Sequence, residues 1–211
     1  MSSGYAQHGE DLALARLLPD VERGFYIDVG AGHPESCNVT KLFYDRGWSG
    51  INIEPAPTDY RLLCAARPRD INLNCCAGAS EGVDCFDIYP AFNEAVNAQE
   101  AGIRAIFARQ GLFPIQRTVQ TVTLNTVIRI HAPEQCDIHF LKIDVEGYER
   151  QVLEGLDLSR YRPWVLCIEA TEPYTQIRSD HKWNDLIFAA GYRQIAFDGL
   201  NCFYQSPDRK S

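Results

Sequence analysis

The sequence predicts an α/β fold, an open and doubly wound parallel sheet that finishes in an antiparallel hairpin at one edge. Three observations carry this expectation. Phe25-Tyr-Ile-Asp-Val-Gly-Ala-Gly-His-Pro34 is an apolar, β-favouring run that breaks into a glycine turn, so it reads as a buried strand opening onto a ligand cradle. Ile51-Asn-Ile-Glu54 is a second such run, ending in a carboxylate roughly 20 positions on, where α/β folds place the acid that takes ribose hydroxyls. Residues 192–197 and 201–204 are two strand-like runs separated by little more than Asp198-Gly199, and strands that close together must be antiparallel.

The glycine turn has a specific use. Gly30 and Gly32 lack the Cβ atoms that would keep a ligand off the backbone, and a helix beginning near Ser36 would aim free N–H groups at that ligand. The remaining elements follow in order. Residues 8–18 carry Leu12, Ala15 and Leu18 on one helical face, with Pro19 as the stop. Residues 36–46 place Val39, Leu42 and Phe43 at helical spacing, and Gly47 ends that helix. Pro57 and Thr58 start a helix through Leu62, Leu63 and Ala66 that Pro68 closes, and residues 71–76 form the third strand. A β-α-β-α-β order implies parallel strands with right-handed crossovers.

Residues 83–89 alternate like a half-buried strand, and 93–110 reads as helix. The stretch 83–116 is the least regular, and we expect it to be a variable insert near the acceptor substrate. Residues 117–123 are β-branched and strand-like, with a short helix from Asn125. Residues 138–144 and 164–169 are the fourth and fifth buried strands, followed by helices over 146–156 and 182–190.

Length and composition bound the function. A chain of 211 residues suits one complete α/β domain spanning 1–211. With 45% hydrophobic and 23% charged residues it has a globular composition, and no run reaches the roughly 20 apolar residues a membrane span needs. The first residues lack the basic start and apolar run of a secretory signal, which predicts a cytosolic protein. A net charge of −8 with scattered arginines disfavours nucleic acid and suits a neutral or cationic small substrate. The eight cysteines contain no C-x-x-C pair, and several fall inside apolar runs, so they read as reduced core thiols rather than a zinc site.

Six stretches together resemble the FkbM family of S-adenosylmethionine-dependent O-methyltransferases. They are Gln7-His-Gly-Glu-Asp11, Asp28-Val-Gly-Ala-Gly-His-Pro34, Arg46-Gly-Trp-Ser-Gly-Ile-Asn-Ile-Glu-Pro55, Phe140-Leu-Lys-Ile-Asp-Val-Glu-Gly-Tyr-Glu149, Ile168-Glu-Ala-Thr171 and Phe197-Asp-Gly-Leu-Asn201. The Lys-Ile-Asp-Val-Glu-Gly-x-Glu block is the most specific, and the sequence looks most like the branch found in bacterial glycan biosynthesis, often beside glycosyltransferases. His33, often Asn, and Asn125, often Asp, depart from that branch. The resemblance implies the class I methyltransferase fold, Rossmann-like and seven-stranded with an antiparallel last hairpin. It implies that Asp28, Gly30 and Gly32 line the methionine moiety of S-adenosylmethionine, that Glu54 takes its ribose hydroxyls, and that the segment 1–22, with Gln7, closes over the cofactor.

Methyl transfer is an in-line displacement, so such an enzyme must mainly hold an acceptor oxygen opposite the leaving sulfur, with a base or a metal to activate an alcohol. Those groups belong at the carboxyl ends of strands. Asp144 and Glu169 end strands four and five, and Glu146 follows at once. Glu146 is the candidate base or acceptor-binding group, although it could equally sit in a helix's first turn and pair with Arg150; the first-turn role better suits Glu149. Lys142 falls on the same side of its strand as Asp144, so it is expected to pair with a carboxylate and to orient the acceptor or its base. His33 has a positional argument for touching the cofactor; His8 and His181 have none. Trp48 and Trp183 could stack on a sugar but read first as packing. Asp144 and Glu169 could each be held as structural caps, but as a pair they suit either substrate hydroxyls or a divalent cation; Ala170 stands where metal-using methyltransferases of this fold have an amide partner, and no metal is assigned. The predicted activity is methylation of a sugar or glycan hydroxyl. An NAD-dependent oxidoreductase would share the turn and Glu54 but lacks the third glycine, replaced by Glu35; a non-catalytic glycan-assembly module would not need the three carboxylates.

Overall fold

A computed structural model describes residues 4–89, 94–97, 101–173 and 175–209. Its elements run α1 (Glu10–Leu17), β1 (Phe25–Val29), α2 (Lys41–Asp45), β2 (Ser49–Ile53), α3 (Pro57–Ala66), β3 (Ile71–Leu73), β4 (Cys76–Ala77), β5 (Gly82–Tyr89) and β6 (Glu94–Asn97). They continue with α4 (Ala101–Arg109), β7 (Ile115–Val122), α5 (Leu124–His131), β8 (Phe140–Ile143), α6 (Glu149–Glu154), β9 (Val165–Glu169), α7 (Asn184–Ala189), β10 (Arg193–Phe197) and β11 (Asn201–Gln205). Seven strands form the main sheet in the order β10-β11-β9-β8-β1-β2-β3. The five from β9 to β3 are parallel, whereas β11 runs antiparallel to both β9 and β10. The chain lays β1 to β3 outward in one direction and β8 and β9 in the other. The order therefore reverses between β1 and β8, where an open α/β sheet leaves a crevice beyond its carboxyl ends.

Both faces of this sheet are covered, which is why its central strands are continuous apolar runs. Phe25, Ile27 and Val29 pack with Ile51, Leu141 and Ile168 against Val127 of α5, Val152 of α6 and Ile187 of α7. Tyr26, Phe140 and Cys167, at the alternate positions, pack against Leu14 of α1 and Leu42 and Phe43 of α2. A second, four-stranded sheet has the order β4-β7-β5-β6. Among the described residues no helix is long and apolar enough to cross a membrane. All eight cysteines are free; Cys75, Cys76, Cys167 and Cys202 are buried, whereas Cys37, Cys64 and Cys85 are exposed and Cys136 is half-buried, so only the first four are core thiols.

Several expected boundaries move, each for a local reason. The helix expected from Ser36 begins at Lys41. Asn38 stops it from starting earlier: its Nδ2 donates to the Ala31 and His33 carbonyls while its Oδ1 accepts from the Lys41 amide. The third strand ends at Leu73, and Cys76 and Ala77 leave the main sheet to pair with Thr121 and Val122. Part of the expected helix over 93–110 is strand, because Glu94–Asn97 pairs antiparallel with residues 86–89; helix follows only at Ala101–Arg109, and residues 93 and 98–100 lie outside the described residues. The helix expected from Glu146 starts at Glu149, since Glu146 and Gly147 take left-handed φ values of 54° and 97°. The helix expected over 182–190 is α7 preceded by a 3₁₀ turn, Asp180–Lys182. In α1 the buried residues are Glu10, Asp11 and Leu14 rather than Leu12 and Ala15. Glu10 Oε1 accepts from Asn201 Nδ2 at 3.0 Å and Asp11 Oδ2 from the Tyr5 amide at 2.6 Å, so these acids pin the N-terminal segment instead of facing water.

A buried polar seam crosses β1, β2 and β3. Asp70 accepts from Tyr26 Oη at 2.6 Å, from the Gly50 amide at 2.9 Å and from Asn52 Nδ2 at 3.0 Å. Tyr26→Phe leaves one buried carboxylate oxygen short of a donor, and we expect a loss of about 1–3 kcal/mol in urea unfolding with the fold retained. A change within about 0.3 kcal/mol would show that the seam is not needed for stability.

Candidate active site

At the switch point lies a cavity of about 410 Å³. The turn after β1 forms its floor. Gly30 and Gly32 have φ values of 74° and 61°, a region that disfavours any side chain. The Gly30 and Ala31 amides both donate to the Ile53 carbonyl, at 3.0 and 3.2 Å, so the turn is tied to the end of β2. A Cβ on Gly30 would stand 1.9 Å from the Asp144 carbonyl oxygen, whereas one on Gly32 would meet open space. The first glycine therefore lets β1 approach β8, and the second leaves room above the backbone.

Glu54 closes this side. Its Oε2 accepts from the Gly32 amide at 2.8 Å and its Oε1 from the Ala56 amide at 2.7 Å. Burial pushes its pKa up to about 7, and the two amide donors hold back part of that rise. The far end of the turn is held by Arg67, which follows α3 and is only 1% exposed. Its Nη2 donates to the Pro34 carbonyl and, at 3.0 Å, to Asn38 Oδ1. His33 is exposed, and its Nδ1 accepts from the Glu35 and Ser36 amides at 3.1 and 3.3 Å, which places the ring proton of the neutral form on Nε2.

The β8 side carries the charge. Asp28 and Lys142 are direct partners in the β1–β8 register. Lys142 Nζ donates to the Gly30 carbonyl at 2.6 Å and stands 3.2 Å from Asp28 Oδ1 and 3.5 Å from Asp144 Oδ2. Burial by itself would lower its pKa, but the Asp28 and Asp144 carboxylates outweigh it and hold the ammonium above its ordinary range. Lys142 is a fixed cation here and not a base. Asp28 Oδ2 also accepts from Thr40 Oγ1 at 3.1 Å.

Asp144, Glu146 and Glu169 converge, with one carboxylate oxygen of each within 4.8 Å of the others. Burial first, and then the neighbouring Asp144 and Glu146 carboxylates, raise the Glu169 pKa. Glu149 stands apart in role. Its Oε1 accepts from the Gly147 and Val145 amides at 3.1 and 3.4 Å, closing the turn that carries Glu146. Arg150 pairs with Glu154 and Asp185 rather than with Glu146.

Of the residues singled out from the sequence, Gln7, Gly30, Gly32, His33, Glu54, Lys142, Asp144 and Glu146 line the cavity. Asp28 is fully buried one layer behind its wall, where it braces Lys142. Asn125 lies elsewhere, its Oδ1 accepting from the Asp157 amide at 2.8 Å. Trp48 and Trp183 are buried in the two cores. Sequence reasoning missed Cys76 and Ala77, which line the cavity beside Phe86 and Tyr148, two rings in edge contact with centroids 6.5 Å apart. The first pair follows the third strand, a position that could have been flagged; Phe86 reaches the site through a second sheet that local pattern does not announce.

A family model described as the Methyltransferase FkbM domain matches residues 28–194. The chain belongs to the FkbM methyltransferase family. The FkbM match takes in the glycine turn, Glu54, Lys142, all three converging carboxylates and both rings, while Gln7 lies before it. A search of curated proteins finds no match to the chain. The two turn glycines of this FkbM domain make separable predictions. Gly30→Ala should abolish cooperative thermal unfolding, because the Asp144 carbonyl cannot yield without parting β1 from β8. Gly32→Ala should melt only a few degrees lower, for about 1 kcal/mol of left-handed strain. Equal melting temperatures for the two variants would contradict the packing described.

Proposed function

We propose that this methyltransferase uses S-adenosylmethionine to methylate a hydroxyl of a sugar or glycan intermediate, on a doubly wound class I sheet. The observation that carries the reading is the fixed Glu54 carboxylate beside two left-handed glycines at the switch point of an FkbM-family chain. Both Glu54 oxygens are anchored by amides, so their remaining lone pairs are presented in one geometry, as recognition of a pair of ribose hydroxyls requires. The exposed backbone at Gly32 gives a ligand close approach, and the strand order supports the class I arrangement.

When bound, S-adenosylmethionine supplies a methyl group activated by its sulfonium. The residues of the chain bind, orient and move protons around it. Gly30, Gly32, His33 and Glu54 form the cofactor side, with Asp28 acting from behind through Lys142. Gln7 belongs to a segment whose Tyr5 carbonyl accepts from the Asn38 amide at 3.2 Å, which supports its role as a cover. On the other side Glu146 takes the proton of the acceptor hydroxyl, and Asp144, oriented by Lys142, receives a hydrogen bond from the same substrate. Phe86 and Tyr148 bring part of the 83–116 insert and the β8–α6 turn to one wall, where a sugar face can rest on a ring. The glycan acceptor and work alongside glycosyltransferases rest on the branch of the family the sequence resembles.

Glu146→Gln should bind S-adenosylhomocysteine within twofold of wild type yet transfer methyl groups on the order of 100-fold more slowly across a panel of sugar acceptors. Unchanged turnover would remove Glu146 from the mechanism. A second prediction concerns pH. Ribose hydroxyls donate best to an ionised carboxylate, and free Glu54 carries a proton below about pH 7. Affinity for S-adenosylhomocysteine should therefore rise with pH through about 7 and then level, with close to one proton released per ligand bound at pH 6. A binding enthalpy that does not vary with buffer ionisation heat at pH 6 would contradict this.

A further inference from the structure

The three converging carboxylates have a property that the transfer reaction alone does not require. Glu169 is only 6% exposed, and its Oε2 has no hydrogen-bond partner among the described residues, a costly state for a buried carboxyl oxygen. The same side chain faces Asp144 and Glu146, from the adjacent strand end and the turn beyond it. No described ammonium or guanidinium forms an ion pair with Glu169, and Lys142, which lines the adjoining cavity, stands at Asp144 Oδ2 and is already committed to Asp28 and the Gly30 carbonyl.

We propose that Asp144, Glu146 and Glu169 hold a divalent, oxygen-preferring cation at the carboxyl ends of β8 and β9. Two ligands of one ion lie no farther apart than twice the bond length, about 4.6–5.2 Å for calcium and about 4.0–4.2 Å for magnesium. A mutual spacing within 4.8 Å thus admits a calcium-sized ion directly and a smaller one after modest contraction. Three carboxylates and no histidine or cysteine in the set select a hard cation over zinc or copper. The site is open on one side, since the Asp144 side chain is 38% exposed while Glu169 is buried. Water or an acceptor hydroxyl can complete the coordination there, and a hydroxyl so placed would ionise more readily next to Glu146. That last role rests on the methyl-transfer reading; the binding of the cation does not.

The test is titration of the full chain with Mn²⁺, followed by calorimetry and by the loss of the free-ion electron paramagnetic signal, without any cofactor. We expect one saturable site per chain, at least tenfold weaker in Glu169→Gln. That variant should bind S-adenosylhomocysteine as wild type does, because Glu169 is not in the cofactor wall. In the presence of a chelator Glu169→Gln should melt higher than wild type, since the neutral amide relieves the crowding, and only wild type should gain thermal stability on adding Mn²⁺. Absence of saturable Mn²⁺ binding, or equal affinity in wild type and Glu169→Gln, would overturn the proposal. Loss of S-adenosylhomocysteine binding in wild type would instead strike the cofactor reading and leave the cation result standing.

Discussion

A buried ammonium organises this molecule. Lys142 sits at the carboxyl end of β8, under the first glycine turn, and an isolated charge there would be prohibitive. Its environment answers that constraint at each contact. Asp28 faces it across the β1–β8 register, the left-handed φ of Gly30 accompanies a carbonyl that accepts from it, and Asp144 approaches from two positions on, just past the end of β8. The cation therefore couples the pairing of the two central strands to the shape of the turn between them. If any of these partners moved, the floor of the cavity would move with it.

From that point the site divides in two. On the β1–β2 side the cavity wall is set by backbone geometry: a turn tied to the Ile53 carbonyl, an anchored Glu54, and Asn38 and Arg67 holding the turn's far end. On the β8–β9 side, a set of carboxylates is held close together in spite of their repulsion. Proteins keep such a cluster where proton transfer or cation binding needs it, and the fold places it at strand ends, where the backbone fixes each acid independently. Phe86 of the second sheet and Tyr148 of the β8–α6 turn add an aromatic wall.

Much of this was legible in the chain because the signals are local. The Phe25–Val29 run, the Gly30 and Gly32 pair and the acid at Glu54 are a strand, a turn and a strand end, each readable within a few residues. Lys142, Asp144 and Glu146 form one short block, and it is the main-sheet register that brings them to Gly30. What escaped was set by non-local pairing or by side chains competing with the backbone. Asn38 captures three backbone groups and delays α2; Cys76 and Ala77 leave for β7; Glu146 takes a left-handed turn that no helical pattern suggests. Arg67 could not be found at all from sequence, since its partners lie about thirty residues upstream and it offers no motif. Asp28 was recognisable as a site residue, but its position behind the wall follows only from the register with Lys142.

The most direct test of the central claim is calorimetric titration of the purified chain with S-adenosylhomocysteine, with NAD titrated in parallel. Saturable 1:1 binding of S-adenosylhomocysteine and none of NAD is the predicted result. Binding of NAD alone would contradict the account, because the same turn and Glu54 would then be serving a nicotinamide cofactor.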